Sequence, residues 1–254
     1  MLNPKHILLT GASSGIGAAL AAIYAAPGVR LSLHGRNERR LDEVAEQAQQ
    51  KGALVNAKSG DVGYAEALGA WIADCDRAQP LDLLIANAGI SAGTGRQGES
   101  DAQARAIFSV NVNGVLHTVQ PAIALMRPRG RGQIAIMSSL AGFRGFPGAP
   151  TYSACKAAVR VYGEALRDEL APRGIAVNVI CPGFIKTPMT DVNHFPMPFI
   201  MDAERAAHII RRGLAHNRAR IAFPWIMYAA VRLAAALPQD WIAGPVSRLP
   251  KKGN

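Results

Sequence analysis

The chain has 254 residues, of which 49% are hydrophobic and 18% charged, and its formal net charge is +10. This length suits one well-buried α/β domain, and the apolar fraction argues against wholesale disorder. The three cysteines share no CxxC spacing and the six histidines form no HxxxH or HExxH cluster, so we expect no disulfide framework and no metal. The positive charge favours anionic ligands, but the sequence contains no nucleic-acid-binding motif and we expect no such partner.

Short apolar runs alternate with longer stretches of helical periodicity. The predicted strands are residues 6–10, 29–34, 54–58, 81–86, 133–137 and 176–181, and the predicted helices are 15–25, 37–50, 64–78, 101–126, 152–171 and 202–215. The helix at 101–126 is predicted to be continuous, and Asp202 is predicted to cap the last helix. This alternation, with nearly continuous apolar strands, predicts a doubly wound parallel sheet in a single Rossmann-type domain.

The domain is expected to cover residues 1–219, followed by an apolar and basic extension over residues 220–254. The extension begins with an apolar run that Pro224 and Arg232 interrupt, and it ends on Arg248, Lys251 and Lys252. The run is too short and broken to indicate a membrane span, which needs about 20 apolar residues. A strand follows Met1 almost at once, so we expect no secretory leader and a cytoplasmic location.

A glycine-rich turn lies between the first predicted strand and helix. Its candidate phosphate-contacting residues are Gly11, Ser13, Ser14, Gly15, Ile16 and Gly17. Glycines allow a pyrophosphate to approach backbone N–H groups at a helix N-terminus, and the serines add hydroxyl donors. A glycine-rich tight turn alone is the plainer interpretation, but the flanking strand and helix favour a dinucleotide site.

The second predicted strand ends at Gly35, where an acidic residue would bind a ribose 2′-hydroxyl and select NAD. Arg36 follows instead, and a guanidinium suits a 2′-phosphate. The sequence therefore predicts NADP rather than NAD as the cofactor.

Tyr152 and Lys156 are four residues apart on a predicted helix and share one face. A free phenol has a pKa of about 10, and a nearby ammonium is expected to lower the pKa of Tyr152. A surface contact between the two side chains is the alternative for such a pair alone.

Ser138 and Ser139 close the fifth predicted strand, and either hydroxyl is a candidate donor. Cys155 is interpreted as a small core thiol.

The turn at 10–17, Asn87-Ala-Gly89, Asn111, Ser139 and the Tyr152–Lys156 segment occur in an order that resembles the short-chain dehydrogenase/reductase family, over about residues 5–215. The resemblance implies an NADP-dependent oxidoreductase that interconverts a carbonyl and an alcohol. It implies that Tyr152 transfers the proton while Ser139, thirteen residues earlier, polarises the substrate oxygen. It also implies that Lys156 binds the nicotinamide ribose and that Asn111 completes a water-mediated relay, although Asn111 is equally interpretable as a satisfied helix kink.

The same resemblance assigns further cofactor contacts. Asp61 and Val62 are expected beside adenine, and Asn87, Ala88 and Gly89 beside the central sheet. The residues expected on the nicotinamide side are Pro182, Gly183, Ile185 and Thr187. A non-catalytic NADP-binding sensor or scaffold is the alternative function.

The chain departs from the family after residue 219. We expect no terminal strand there, since the apolar segment and basic tail replace the usual strand and glycine-rich end. This disfavours the family's tetramer and leaves a dimer through the helices at 101–126 and 152–171. The segment's apolar side chains are open to four interpretations: ordinary packing against the domain, a cover for the substrate pocket, a partner contact, or peripheral membrane docking. Apolar residues over 184–201 favour an apolar, lipid-like substrate.

Overall fold

A parallel seven-stranded sheet forms the centre of the computed structural model, which describes residues 3–91, 98–193 and 195–238, with residues 240, 241 and 244. Its strands are β1 (His6–Thr10), β2 (Arg30–Gly35), β3 (Leu54–Ser59), β4 (Leu83–Ala86), β5 (Gly132–Met137), β6 (Ile175–Pro182) and β9 (Arg220–Phe223). A separate pair is formed by β7 (Ile185–Lys186) and β8 (Met201–Asp202). The predicted doubly wound parallel fold is confirmed.

The strand order is β3-β2-β1-β4-β5-β6-β9, so the chain reverses direction across the sheet between β1 and β4. In doubly wound sheets ligands bind at such a switch point, beyond the carboxyl ends of the strands. The helices are α1 (Gly15–Tyr24), α2 (Glu38–Gln50), α3 (Ala65–Ala78), α4 (Asp101–Phe108), α5 (Gly114–Met126), α6 (Pro150–Leu170), α7 (Pro188–Asp191), α8 (Ala203–Ala215) and α9 (Trp225–Ala236).

Side chains that alternate along the strands pack into two hydrophobic layers, one on each face of the sheet. Ile7 and Leu9 of β1 pack with α1, α2 and α8 on one face, while Leu8 packs with α3, α5 and α6 on the other. The continuous apolar character of the strands therefore reflects burial on both faces, as expected for a parallel sheet.

Two sequence predictions about helices are corrected. The predicted helix over 101–126 is interrupted by a π-helical turn, Ser109–Asn113, which separates α4 from α5. Asp202 occupies the N-cap position of α8, but its side chain makes no capping hydrogen bond and pairs with Lys186 at 2.9 Å.

The prediction that no strand follows residue 219 is wrong. Arg220–Phe223 pairs with β6, and Ile221 and Phe223 are buried on the sheet. The sheet thus extends into the segment set apart as an extension, because Ile221 and Phe223 find a partner strand far away in sequence. Arg248, Lys251 and Lys252 lie outside the described residues.

Candidate active site

The glycine turn closes tightly over the end of β1. Gly11 and Gly15 have φ angles of +68° and +56°, a region that favours glycine. A Cβ at Gly17 would collide with the Gly11 carbonyl oxygen. Ser14 is the N-cap of α1, and its side chain makes no capping hydrogen bond. The turn and the start of α1 therefore form a backbone-lined cradle in which N–H groups of the first helical turn lack intrahelical partners.

Asn87 ties the end of β4 to this turn. Its side-chain amide donates to the carbonyl oxygens of Thr10 (3.0 Å) and Gly11 (3.1 Å). The Thr10 hydroxyl accepts in return from the backbone N–H groups of Asn87 and Ala88. Asn87 and Ala88 are thus brought to the turn, as the sequence predicts. The Thr10 hydroxyl was missed, although its position just before Gly11 was a usable signal.

The end of β2 lies beside the same turn. Gly35 is buried, and a Cβ there would lie 3.1 Å from the Ser13 Cβ. The exposed Arg36 guanidinium is 3.7 Å from the Asp61 carboxylate, so one predicted cofactor residue partly neutralises another. Val62 is buried, and its carbonyl oxygen bonds the His117 ring at 2.9 Å.

Ser139, Tyr152 and Lys156 converge where β5 ends. The Ser139 hydroxyl donates to the Pro182 carbonyl oxygen at 3.3 Å and lies near the Tyr152 phenol. The buried Lys156 ammonium donates to the Met137 carbonyl oxygen at 2.9 Å and lies 5.6 Å from the centre of the Tyr152 ring. The convergence joins α6 to the ends of β5 and β6.

Ser138, the alternative donor, points elsewhere. Its hydroxyl is buried and donates to the Lys156 backbone carbonyl at 2.7 Å, which fixes α6 against the strand. The hydroxyl available beside Tyr152 is therefore that of Ser139.

The electrostatics of the pair differ from the sequence expectation. Burial raises the pKa of Tyr152, opposed by the neighbouring Ser139 hydroxyl. Burial also lowers the pKa of Lys156 to about 8. The ammonium does not contribute to the pKa of Tyr152 in this structure, because it is directed at the Met137 carbonyl oxygen.

Asn111 lies in the π-helical turn and is fully buried. Its Oδ1 accepts from the Ile90 N–H at 2.7 Å, and its Nδ2 donates to the Ile90 carbonyl at 2.8 Å. A Cβ at Gly89 would lie 3.2 Å from Asn111 Oδ1 and 3.4 Å from Lys156 Nζ. Glycine at position 89 therefore keeps the space between these two side chains open.

The loop after β6 passes over the glycine turn. A Cβ at Gly15 would lie 2.8 Å from Thr187 Cγ2, and Ile185 is buried in β7. The N–H of Gly183, just after Pro182, donates to the Phe223 carbonyl at 2.8 Å. The predicted nicotinamide-side residues thus border the crevice, and β9 supports them.

Helix α9 also reaches this region, and a position over the substrate pocket is one of the interpretations that the sequence leaves open. A Cβ at Gly183 would lie 3.4 Å from Met227 Sδ and 3.5 Å from Leu140 Cδ1. Met227 and Tyr228 pack on the small core cluster of Leu140, Val179 and Cys181. The inner side of α9 is therefore a neighbour of the strand ends that hold Ser139 and Pro182.

Other chemistries find little support in the described part of the chain. No group of three or more His, Cys, Asp or Glu side chains there is arranged to bind a metal ion. Cys155 is buried, and burial raises the pKa of its thiol to about 11, which suits a core residue rather than a nucleophile. No helix among the described residues has the length and apolarity to cross a bilayer.

Comparison with known proteins agrees with this geometry. The short chain dehydrogenase profile matches residues 5–195. An uncharacterized oxidoreductase of Myxococcus xanthus is 37% identical over 98% of both chains, and one of Mycobacterium tuberculosis is 34% identical over 92% of this chain and 94% of its own.

Solved structures agree as well. A short-chain dehydrogenase of Sphingobium yanoikuyae in complex with NADPH has a TM-score of 0.81 and 25% identity, with 96% of both chains covered. A short-chain type dehydrogenase/reductase of Mycobacterium marinum has a TM-score of 0.77 and 26% identity, with 87% of this chain and 93% of its own covered. The chain therefore belongs to the short-chain dehydrogenase/reductase family of NAD(P)-using oxidoreductases.

Proposed function

We propose that the protein is an NADP-dependent reductase or dehydrogenase that interconverts a carbonyl and an alcohol, with Tyr152 as the proton-transfer residue. The observation that carries the proposal is the convergence of the Ser139 and Tyr152 side chains beside the buried Lys156 ammonium, which lies 5.6 Å from the centre of the Tyr152 ring. These groups border the crevice beyond the carboxyl ends of the strands, where a doubly wound sheet binds its ligand.

The glycine cradle fits a dinucleotide. Positions 11, 15 and 17 leave no room for a side chain, so a pyrophosphate would meet bare backbone at the N-terminus of α1. Asn87, Ala88 and Gly89 would line the sheet side of the cofactor, with Asp61 and Val62 toward the adenine. Pro182, Gly183, Ile185 and Thr187 would border the nicotinamide side.

The preference for NADP rests on Arg36. Its guanidinium is exposed at the end of β2, next to the buried Gly35 and the Ser13 side chain. A guanidinium there suits the 2′-phosphate through charge-assisted hydrogen bonds, while Asp61, 3.7 Å away, holds it at the edge of the cradle.

When bound, the reduced nicotinamide supplies a hydride to the carbonyl carbon. Ser139 donates a hydrogen bond to the substrate oxygen as negative charge develops on it. Tyr152 gives its phenolic proton to the same oxygen, which completes the alcohol. Lys156 in its ammonium form stabilises the resulting phenolate and, with Asn111 close by, returns the proton from water. Oxidation is the reverse sequence.

The half-buried Phe184 and Phe195 rings lie edge to face in the loop after β6, with 6.0 Å between the ring centres. They support an apolar substrate. Exposed Phe108 on α4 and Val161 on α6 support a dimer through these helices.

The direct test is a carbonyl panel that includes long-chain ketones and aldehydes, with NADPH or NADH as the sole reductant. The proposal expects oxidation of NADPH with at least one apolar carbonyl compound. Tight NADPH binding without turnover on any member would favour the non-catalytic sensor.

Cofactor preference is tested separately with Arg36→Gln. Loss of the guanidinium is expected to weaken NADPH binding by about tenfold or more while NADH binding changes little, since one charge-assisted contact contributes about 1.5–3 kcal/mol. The matched control is Arg39→Gln, because Arg39 pairs with Glu43 at 2.6 Å on the surface of α2. Equal NADPH dissociation constants for the two variants would contradict the assignment.

A further inference from the structure

Helix α9 presents an apolar surface to solvent. We call this surface the outer face of α9; its members are Trp225, Ile226, Ala229, Ala230, Leu233 and Leu237, all of them exposed. The relative exposures of Trp225 and Leu233 are 74% and 65%. A helix packed on a domain ordinarily turns polar residues outward, so an apolar outer face indicates that a further surface covers it.

The inner side of the same helix is already used. Met227 and Tyr228 pack against the domain, and the Tyr228 hydroxyl accepts from Arg220 at 2.9 Å. The Arg144 guanidinium donates to the Ala234 carbonyl oxygen at 3.4 Å. The helix is therefore fixed in place by one side and offers the other as a preformed surface.

Positive charge is concentrated in the part of the sequence that contains this helix. Residues 205–254 contain nine Lys or Arg and one Asp, whereas residues 1–204 contain 19 Lys or Arg and 17 Asp or Glu. Nearly all of the excess charge of the chain therefore belongs to its last fifth.

An arginine cluster lies at the inner side of α9, around the Phe143 ring that contacts Tyr228. The guanidinium groups of Arg160, Arg220 and Arg232 lie 4.8, 5.2 and 6.0 Å from the centre of the Phe143 ring. Glu164 pairs with Arg160 and Arg220, which neutralises one of the charges. Arg232 is exposed on α9 itself, next to Leu233.

Charge decides between the two partners that an apolar face can have. A symmetric contact with a second copy would bring Arg232 toward the Arg232 of that copy, which is repulsive. An anionic bilayer offers the opposite charge, and tryptophan side chains favour the membrane–water interface.

We propose that the outer face of α9 docks on an anionic lipid surface, with the helix axis along the membrane plane. Its twelve residues span about 18 Å, so the helix lies in the head-group region. Arg232, exposed on α9 next to Leu233, meets the lipid phosphates. Since Met227 neighbours Gly183 and Leu140, docking holds the strand ends of the candidate site beside the bilayer. The docking itself does not depend on the oxidoreductase chemistry.

Co-sedimentation of the full chain with vesicles tests the proposal. We expect binding to phosphatidylcholine vesicles that contain phosphatidylglycerol, weaker binding to pure phosphatidylcholine, and loss of binding at high salt. The emission of Trp225 should shift to the blue on binding, and Trp225→Phe should remove most of that shift.

Two variants separate the apolar and electrostatic contributions. Ile226→Gln combined with Leu233→Gln should lower the partition coefficient by about tenfold or more, and Arg232→Gln by about fivefold. Leu54→Gln is the matched control, because Leu54 is 57% exposed on β3, at the opposite edge of the sheet.

Thermal unfolding and NADPH binding of every variant should match wild type, which excludes misfolding as the cause. Absent binding of wild type to anionic vesicles, or equal binding by the double variant, would overturn the proposal. If the double variant instead dissociates an oligomer seen by light scattering and vesicle binding is unchanged, the face contacts a second copy. Failure of vesicle binding would leave turnover of soluble carbonyl compounds unaffected, so the two proposals fail separately.

Discussion

Lys156 places a charge where water has little access. Its side chain is buried, and the Met137 carbonyl is the acceptor that compensates part of the lost hydration. Burial lowers the pKa of Lys156 to about 8, so the ammonium is the dominant form below that pH and is lost above it. The sequence predicted the residue but not the sign of the effect on Tyr152, because burial is a property of the whole fold.

This pKa predicts a pH profile. Because the ammonium is needed to bind the cofactor ribose and return the proton, kcat/KM for NADPH should fall as pH rises through about 8, by about tenfold per unit at higher pH. Lys156→Arg keeps the charge at all accessible pH values and should remove this fall, at a lower plateau. A wild-type profile that stays flat from neutral to alkaline pH would contradict the role.

Gly17 is a second residue-scale test. A Cβ there would meet the Gly11 carbonyl oxygen, so Gly17→Ala must open the turn that forms the phosphate cradle. We expect at least about tenfold weaker NADPH binding by isothermal titration calorimetry, because backbone donors move out of place. Gly145→Ala is the control, since no atom lies within 4 Å of a Cβ at Gly145. Similar NADPH affinities for both variants would contradict the proposal that this turn binds the cofactor phosphates.

At the scale of elements, periodicity predicted β1 to β6 and five helices to within one or two residues; those helices are α1, α2, α3, α6 and α8. It did not predict the π-helical turn, because the buried Ile107, Val110, Val115 and Val119 are spaced as on one side of an uninterrupted α-helix. The turn accompanies paired hydrogen bonds between Asn111 and Ile90, a contact across 21 residues of chain. Such contacts leave no periodic signal.

Asn111 is therefore expected to stabilise the fold as well as to serve the site. Asn111→Ala leaves the Ile90 N–H and carbonyl without these partners and should lower the free energy of unfolding by about 1–3 kcal/mol in urea denaturation. Asn113, in the same turn, is exposed, and Asn113→Ala should change it by no more than about 0.5 kcal/mol. If both variants lose the same free energy of unfolding, the hydrogen bonds between Asn111 and Ile90 do not stabilise the fold.

At the scale of the whole molecule, the candidate site was predictable because parallel strands place their carboxyl ends at one edge. Each of the site's parts follows a predicted strand: the glycine turn, Asn87, Ser139 and Pro182. Residues that follow parallel strands lie at the same edge of the sheet, so the sequence indicated that these parts come together. The edge strand β9 was missed, since its four residues lead into an apolar segment and their pairing with β6 is long-range.

Two isoleucines test where the folded domain ends. Ile221 is buried on the sheet and Ile226 is exposed on α9. Ile221→Ala should destabilise the protein by about 2–5 kcal/mol, whereas Ile226→Ala should cost less than about 0.5 kcal/mol. If thermal unfolding of the two variants coincides, β9 is not part of the cooperative domain.

The most direct test of the proposed chemistry is turnover by Tyr152→Phe, compared with its NADPH dissociation constant. Removal of one hydroxyl should lower kcat for carbonyl reduction by about 10²–10⁴-fold, since the group that donates the proton is lost. NADPH binding should remain within about threefold of wild type, because the contacts proposed for the cradle are untouched. A variant that binds NADPH normally and turns over at the wild-type rate would contradict the account.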